Sequence, residues 1–107
     1  MELPDLSGYE ADRVVPDAPV RGVPLPGLRA TFYRREVGPR THTAGLYAFR
    51  GAEVFLAWGY ADQRHCAAHA FRDPAGGWEP PRRGCPRVRA RDGALVMRTV
   101  AGERVLE

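Results

Sequence analysis

Lysine, isoleucine and asparagine are absent from this 107-residue sequence, and all 16 basic residues are arginines. The codons of the three missing residues are AT-rich, so their absence indicates a GC-rich, bacterial genome. The absence of lysine also has a physical consequence. Each basic side chain of the protein is a planar guanidinium, which can bind an anion through two parallel hydrogen bonds.

Long hydrophobic runs are absent as well. No stretch reaches the roughly 18 apolar residues of a membrane-spanning helix, and residues 1–13 carry early acids in place of the apolar segment of a signal peptide. We therefore expect no direct membrane span and, from the sequence alone, a cytoplasmic protein. Hydrophobic residues at 44% and charged residues at 27% are typical of one globular domain.

Cysteine is scarce, since Cys66 and Cys85 are the two in the chain. Two cysteines do not build a disulfide scaffold, and we expect both to be buried free thiols. A single bridge between them stays open, because it depends on an oxidising compartment and on a Cα–Cα distance that the sequence does not supply.

Signatures of catalysis are also missing. The sequence has no glycine-rich phosphate loop. Neighbouring residues of a strand point to opposite faces, which separates Cys66 as a nucleophile from His65 as its base. We therefore assign no catalytic residue and no cofactor.

Proline is present but unevenly distributed, because five of the ten prolines lie in residues 1–27. Proline removes a backbone donor and fixes φ, so this segment predicts an extended arm, followed by a single antiparallel β domain at 28–107. The arm has a net charge of −3, from five acids and two arginines, and 28–107 has +6, from 14 arginines and eight acids. We expect the arm to cover part of the basic body, or the body to bind an anionic partner.

Residues 28–107 contain six short runs with strand character, separated by turn signals. The runs are 28–37, 42–50, 53–60, 65–72, 87–91 and 94–100. No stretch supports a helix of ten or more residues. The pattern predicts an all-β fold of about six antiparallel strands in meander order, forming a curved sheet or a small barrel.

Two turn signals suggest how these strands pair. A type II′ turn at 51–52 sets Arg50 opposite Glu53. A tight turn at 62–63 sets Glu53 opposite Arg72. In this register one sheet face is bulky and aromatic, and the other is small and apolar. A sheet that is apolar on both faces must be covered on both, by its own curl, by the arm or by a second subunit in a homodimer.

The aromatic face is a candidate ligand site. It is either the packed core or a pocket for a small apolar or aromatic ligand, with polar groups from tyrosine and histidine. The residues assigned to ligand binding are Tyr47, Phe49, Trp58, Tyr60, His65, His69 and Phe71.

The histidines of that face also suggest a metal site, because His65 and His69 are four residues apart and share a strand face. Zinc takes three or four ligands, and no acid lies on the same face to supply a third. We assign no metal ligand, and a metal-dependent enzyme around the two histidines stays an alternative.

The arginine-rich segment 87–100 predicts a second binding surface. A type I′ turn at Asp92-Gly93 pairs Arg87 with Arg98 and places four arginines on one face. Like charges directly opposite each other are destabilising, so they require acids of the protein, salt or an external anion. The surface is either a solvated sheet edge or a site for a polyanion or an acidic partner. The residues assigned to anion binding are Arg87, Arg89, Arg91 and Arg98.

Several short motifs follow one another along the chain, namely LPDLSGY at 3–9, FYRR at 32–35, VFLAWGYADQR at 54–64, His69, Gly77-Trp78 and the strand pair DGALVMRTVAGERV at 92–105. From Leu3 to Val105 this order resembles the soluble domain of the exosortase-associated exopolysaccharide-biosynthesis family. The resemblance implies an extracytoplasmic accessory domain beside a membrane sorting or polysaccharide-export system, normally with a membrane anchor. It brings no catalytic residues.

These patterns predict a non-enzymatic accessory or ligand-binding β domain that uses its aromatic and histidine-lined face. The family resemblance implies that the domain belongs to an exopolysaccharide or exosortase system. The alternatives are a module that binds an anion or acidic partner on its arginine face, and a metal-dependent enzyme.

Overall fold

The computed structural model describes residues 8–58 and 66–106, with the backbone alone at 58, 66 and 67. Every regular element in these ranges is a β-strand. In chain order the strands are β1 (Glu10–Val15), β2 (Pro19–Val20), β3 (Val23–Pro24), β4 (Arg29–Val37), β5 (Arg40–Phe49), β6 (Ala52–Trp58), β7 (Cys66–Arg72), β8 (Arg82–Arg83), β9 (Arg87–Arg91), β10 (Ala94–Thr99) and β11 (Gly102–Leu106). No helix long and apolar enough to cross a membrane occurs in the described ranges.

The largest sheet is antiparallel and six-stranded, in the order β1-β4-β5-β6-β7-β8. From β4 onward each strand pairs with the next one in the chain, whereas β1 reaches β4 across the hairpin β2–β3. The sheet is open, because β1 and β8 form its edges. The predicted all-β antiparallel meander is therefore confirmed, and its small-barrel alternative is wrong.

The six predicted runs correspond to β4, β5, β6, β7, β9 and β10. Of the remaining strands of the described ranges, β11 lies in the strand pair named at 92–105, and β1, β2, β3 and β8 escaped prediction. Three of these, β2, β3 and β8, are two residues long, and proline occurs in both β2 and β3. Such short, proline-containing segments carry no alternating pattern from which a strand can be recognised.

Residues 8–27 join the body by strand pairing as well as by charge. β1 pairs with β4, and Val15 lies opposite Ala30. Arg34 of β4 donates a hydrogen bond to Glu36, and that contact, with a smaller effect from Asp12 of β1, raises the pKa of the guanidinium. The acids of this segment are therefore close to a basic side chain of the body.

The turn between β5 and β6 differs from the predicted one. Its central residues are Arg50 and Gly51, whose φ angles of 52° and 86° are both positive, as a type I′ turn requires. Glu53 consequently lies opposite Ala48, and the predicted Arg50–Glu53 pair is wrong. The register differs from the predicted one by two residues, so each side chain keeps its predicted face.

The pairing of β6 with β7 follows the predicted register until a bulge. Glu53 lies opposite Arg72 and forms a salt bridge with it. The register shifts by one residue between Ala57 and Trp58, so the faces of the first residues of β7 no longer follow from strict alternation. The predicted turn at 62–63 lies outside the described residues.

The second sheet, in the order β11-β10-β9, packs against one face of the six-stranded sheet, which we call the inner face. Buried side chains of both sheets and of the segment around β2 form one cluster, the first cluster. Its members are Ala18, Val20, Leu25, Leu28, Ala30, Phe49, Val54, Leu56, Phe71, Leu95 and Met97.

The opposite, outer face of the six-stranded sheet carries a smaller second cluster, formed by Ala44, Phe55, Ala70 and Trp78. Trp78 belongs to the loop at 73–81, which follows β7, and its backbone bridges to Arg72. Each face of the sheet is therefore apolar, as predicted. The inner face is covered by the second sheet together with Ala18, Val20 and Leu25 of the predicted arm, and the outer face is covered by a loop. The homodimer stays a prediction.

The cysteines differ from expectation. Cys85 is disulfide-bonded, and none of the described cysteines is free. The side chain of Cys66, the other cysteine of the chain, lies outside the described residues. The expected pair of free thiols is wrong, because the Cys85 thiol is oxidised to a disulfide.

Candidate functional site

The predicted ligand residues divide into a described and an undescribed group. Tyr47, Phe49, His69 and Phe71 share the inner face of the six-stranded sheet. Phe49 and Phe71 are buried in the first cluster, so they are core residues. The side chain of Trp58 and the whole of Tyr60 and His65 lie outside the described residues.

His69 is held in the interior by its neighbours. Its side chain is 4% exposed, and Nδ1 donates a hydrogen bond of 2.6 Å to the carbonyl oxygen of Gly84. A carbonyl oxygen can only accept, so this bond requires a proton on Nδ1, and Nε2 has no hydrogen-bond partner in the described part of the chain. The ring also contacts Phe71 edge-on, at 5.2 Å between centroids. His69 thus joins β7 to the segment after β8.

An apolar cleft of about 190 Å³ opens between the two sheets. Its apolar wall combines the inner face with the second sheet and β2, in the residues Val20, Tyr47, Val54, Leu56, Val88 and Leu95. Pro19 and Arg21 also line it. Apolar cavities of about 150 Å³ hold one benzene molecule, so this cleft has room for a single ring or a short alkyl chain.

Tyr47 is the polar residue that the inner face contributes to this cleft. Burial raises the pKa of its phenol, and the nearby Arg13 guanidinium opposes the shift. The phenol is therefore neutral at physiological pH and able to donate a hydrogen bond. Phe32 packs edge-on against the Tyr47 ring, at 5.9 Å between centroids, and fixes its orientation.

The structure places the four predicted anion-binding arginines on one face of the second sheet. We call this the arginine face. The turn at Asp92-Gly93 has φ angles of 52° and 77°, and Arg87 lies opposite Arg98, so the predicted turn and register are confirmed. All four side chains, those of Arg87, Arg89, Arg91 and Arg98, are exposed.

An acid of the protein offsets part of this charge. Glu103 of β11 lies 3.8 Å from Arg89 and 3.6 Å from Arg91, measured between carboxylate oxygen and guanidinium nitrogen. Arg87 and Arg98 have no ion pair with any described residue. Sequence reasoning did not place Glu103 beside these arginines, although Glu103 lies in the strand pair named at 92–105.

A second cleft of about 150 Å³ lies on the arginine face. It is lined by Arg21, Arg87, Val88, Arg89, Val96 and Arg98. Val96 is 1% exposed although it stands among charged side chains, which indicates that the aliphatic stems of those side chains cover it. Arg21 and Val88 line both clefts, so the two are neighbours.

A further cluster surrounds Arg104, which sequence reasoning also missed. Its guanidinium donates two hydrogen bonds to Glu79, at 2.7 and 3.1 Å, and lies over the Phe71 ring at 4.3 Å. The bonds from Arg104 lower the pKa of Glu79. Because Glu79 belongs to the loop at 73–81, this cluster attaches that loop to the second sheet.

The described ranges contain no group of three His, Cys, Asp or Glu side chains that could hold a metal ion. His65, one of the two predicted metal-site histidines, is outside those ranges. The metal-dependent enzyme stays a prediction, which elemental analysis of untagged protein tests.

The fold and its clefts define an all-β protein of two packed antiparallel sheets, with an apolar cleft between the sheets and a cationic cleft beside it. Comparisons with family models, with curated proteins and with solved structures find no match to this chain. The resemblance to the exosortase-associated family therefore stays a prediction.

Proposed function

We propose that the protein is a non-enzymatic binding module that takes a small ligand into the apolar cleft between its two sheets. The observation that carries this proposal is the cleft itself, whose walls come from both sheets and are apolar apart from Tyr47 and Arg21. A concave apolar site with few polar groups is the usual form of a small-molecule site.

The rigidity of the walls favours binding. Val54 and Leu95 are each 1% exposed and belong to the first cluster, so packing holds them in place with or without a ligand. A preformed site avoids the entropy cost of ordering side chains during binding, and a ligand regains the van der Waals contacts that an open cleft lacks.

The test is a titration with a neutral aromatic probe, benzyl alcohol, followed by amide NMR shifts. We expect shifts at residues of the cleft wall, such as Val54 and Leu95. Val88→Phe places a ring at the cleft and abolishes those shifts. Val105→Phe is the matched control, because Val105 lies in the same sheet, is exposed and does not line the cleft. A titration without shifts at the wall in wild-type protein refutes the proposal.

A role beside an exopolysaccharide or exosortase system belongs to this proposal as well. Its support is the order of motifs from Leu3 to Val105. Deletion of the gene in its host, with measurement of exported polysaccharide, tests that part separately from ligand binding.

The arginine face favours a second candidate function, the binding of a polyanion or an acidic partner. Arg87 and Arg98 lie directly opposite each other and have no ion pair among the described residues. Like charges in such a pair repel, and a phosphate, sulfate or carboxylate bound between them removes the repulsion and releases counterions.

Retention on heparin against a salt gradient tests this candidate. Arg98→Gln should elute at clearly lower salt than the wild type. Arg29→Gln is the matched control, because Arg29 is also an exposed strand arginine and its loss changes the net charge equally. If both variants elute together, retention follows net charge and the arginine face is not a site.

A further inference from the structure

The turn of the hairpin β2–β3 brings a guanidinium to the boundary of the two clefts. Arg21 and Gly22 are its central residues, with φ of 52° and 83°. Val20 anchors the hairpin, since it is buried in the first cluster and lies beside the turn. Arg21 lines both the apolar cleft and the cationic cleft. A ligand that fills the first cleft therefore has cationic side chains at its exit.

The arginines around that exit, Arg21, Arg87 and Arg98, have no ion pair with a described residue. Glu103 lies opposite Arg98 in the strand register, but its carboxylate is engaged by Arg89 and Arg91. An oxyanion placed there accepts charge-assisted hydrogen bonds without competing with an existing carboxylate. The cationic cleft thus complements a negative charge.

From this juxtaposition we infer that the ligand is a small amphipathic anion. Its ring or short alkyl chain occupies the apolar cleft, and its carboxylate or similar oxyanion binds Arg21 and the arginines beside it. The inference rests on the proposed function, because it requires that the apolar cleft binds a ligand. The volume of about 190 Å³ limits the apolar part to one ring or a chain of similar size.

Three probes test the inference by calorimetry and NMR titration: phenylacetate, its neutral isostere phenylacetamide, and acetate. We expect phenylacetate to bind at least about tenfold more tightly than phenylacetamide, since a hydrogen bond to a charged group contributes more than 1.4 kcal/mol. Acetate, which lacks the ring, should bind more weakly than both. Added salt should lower the affinity for phenylacetate and leave the affinity for phenylacetamide unchanged.

The variants are Arg21→Gln, Arg98→Gln and the control Arg29→Gln. Arg21→Gln should reduce the affinity for phenylacetate to that for phenylacetamide, and Arg98→Gln should reduce it in part. Arg29→Gln should leave both affinities as in wild type. Circular dichroism of each variant checks the fold.

The outcomes separate the inference from the proposed function. Equal affinities for phenylacetate and phenylacetamide overturn the inference and leave the apolar cleft as a site for neutral ligands. Acetate binding as tightly as phenylacetate also overturns it, since the ring then contributes nothing. Binding of none of the three probes refutes the inference and the proposed function together.

Discussion

The two faces of the six-stranded sheet are built from the same strands but are buried by different means. The inner face meets a complete second sheet, and large side chains such as Phe49, Leu56 and Met97 interlock between them. The outer face carries alanines at positions 44 and 70, over which a loop lays one large residue, Trp78. The cover of the inner face is a hydrogen-bonded sheet, whereas the cover of the outer face is a loop, attached by one backbone bridge and by the side chains of Trp78 and Glu79.

The difference explains where a cleft is found. Two rigid sheets that pack face to face leave space wherever they diverge, because neither backbone can move to close it. A loop over small side chains can move inward until contact is made. The apolar cleft lies between the sheets for this reason, and the outer face is expected to respond to mutation by relaxation.

The largest effect should come from Phe49→Ala. Phe49 is 1% exposed and lies in the first cluster, so its removal leaves a cavity that two sheets cannot close. We expect the free energy of unfolding to fall by about 3–5 kcal/mol, measured by urea denaturation. If this variant does not fold, Phe49→Leu gives the same direction with a smaller loss. A loss below 1 kcal/mol for Phe49→Ala contradicts the description of the inner face.

Phe55→Ala sharpens the comparison, because it makes the same change on the outer face of the adjacent strand. Phe55 is 8% exposed and packs in the cluster that Trp78 covers. We expect the free energy of unfolding to fall by about 2–3 kcal/mol, because the loop can relax into the cavity that the lost ring leaves. The indole NMR signal of Trp78 should shift at the same time. Equal losses for Phe49→Ala and Phe55→Ala would break the comparison.

A pair of glycine substitutions tests how firmly the loop at 73–81 is held against the neighbouring β5–β6 turn. Gly51 and Gly93 are both the second residue of a type I′ turn, with φ of 86° and 77°. A Cβ at Gly51 would lie 3.3 Å from Cβ of Pro74, in the loop at 73–81, whereas a Cβ at Gly93 meets open space. Backbone strain in Gly93→Ala should lower the free energy of unfolding by about 1 kcal/mol. Gly51→Ala should lower it by about 2 kcal/mol, because the contact with Pro74 adds to the strain. Thermal unfolding measures the stability of both variants. Equal losses of stability would show that Pro74 moves freely out of contact.

The smallest expected effect is the loss of the ion pair between Glu79 and Arg104, which attaches the same loop to the second sheet. The bonds from Arg104 hold the pKa of this carboxyl below its ordinary value, so the folded state releases the proton more readily than the unfolded state does. The pair therefore stabilises the fold above the ordinary pKa, and the contribution is lost as pH falls through that value and below. Glu79 and Arg104 are 28% and 33% exposed, and a contribution of about 0.5–1 kcal/mol is expected.

Urea denaturation of wild type and Glu79→Gln between pH 7 and pH 3 measures this contribution. The difference in stability between the two proteins should be largest near neutral pH and should disappear at the acid end. A difference that stays constant over the range would show that the carboxylate charge is not what attaches the loop.

Local chemistry was sufficient to predict most of the strands. β4 to β7, β9 and β10 combine alternating side chains with turn residues, and Asp92-Gly93 fixed the pairing of Arg87 with Arg98. The Arg50-Gly51 turn was missed, because arginine does not favour positive φ as asparagine or aspartate does. The error displaced the predicted register by two residues, an even number, so each side chain still lies on its predicted face of the sheet.

The clefts were less predictable, because they depend on contacts between distant segments. Arg21 lies in a proline-rich stretch that the sequence indicates as an arm, yet its hairpin packs beside β9. Glu103 lies in the strand pair named at 92–105, but its contact with Arg89 and Arg91 joins β11 to β9 across β10. The disulfide at Cys85 required a distance in space. The periodicity of the sequence does not predict these contacts, because they form only when the second sheet packs on the first.

The meander has a consequence for how the chain folds. In β4 to β8 and in β9 to β11 each strand pairs with its successor in the sequence, so most backbone pairing forms between near neighbours and costs little loop-closure entropy. We expect these two hairpin series to form early and independently, with rapid refolding for an all-β protein. Strand β1, whose partner lies beyond an intervening hairpin, should dock last.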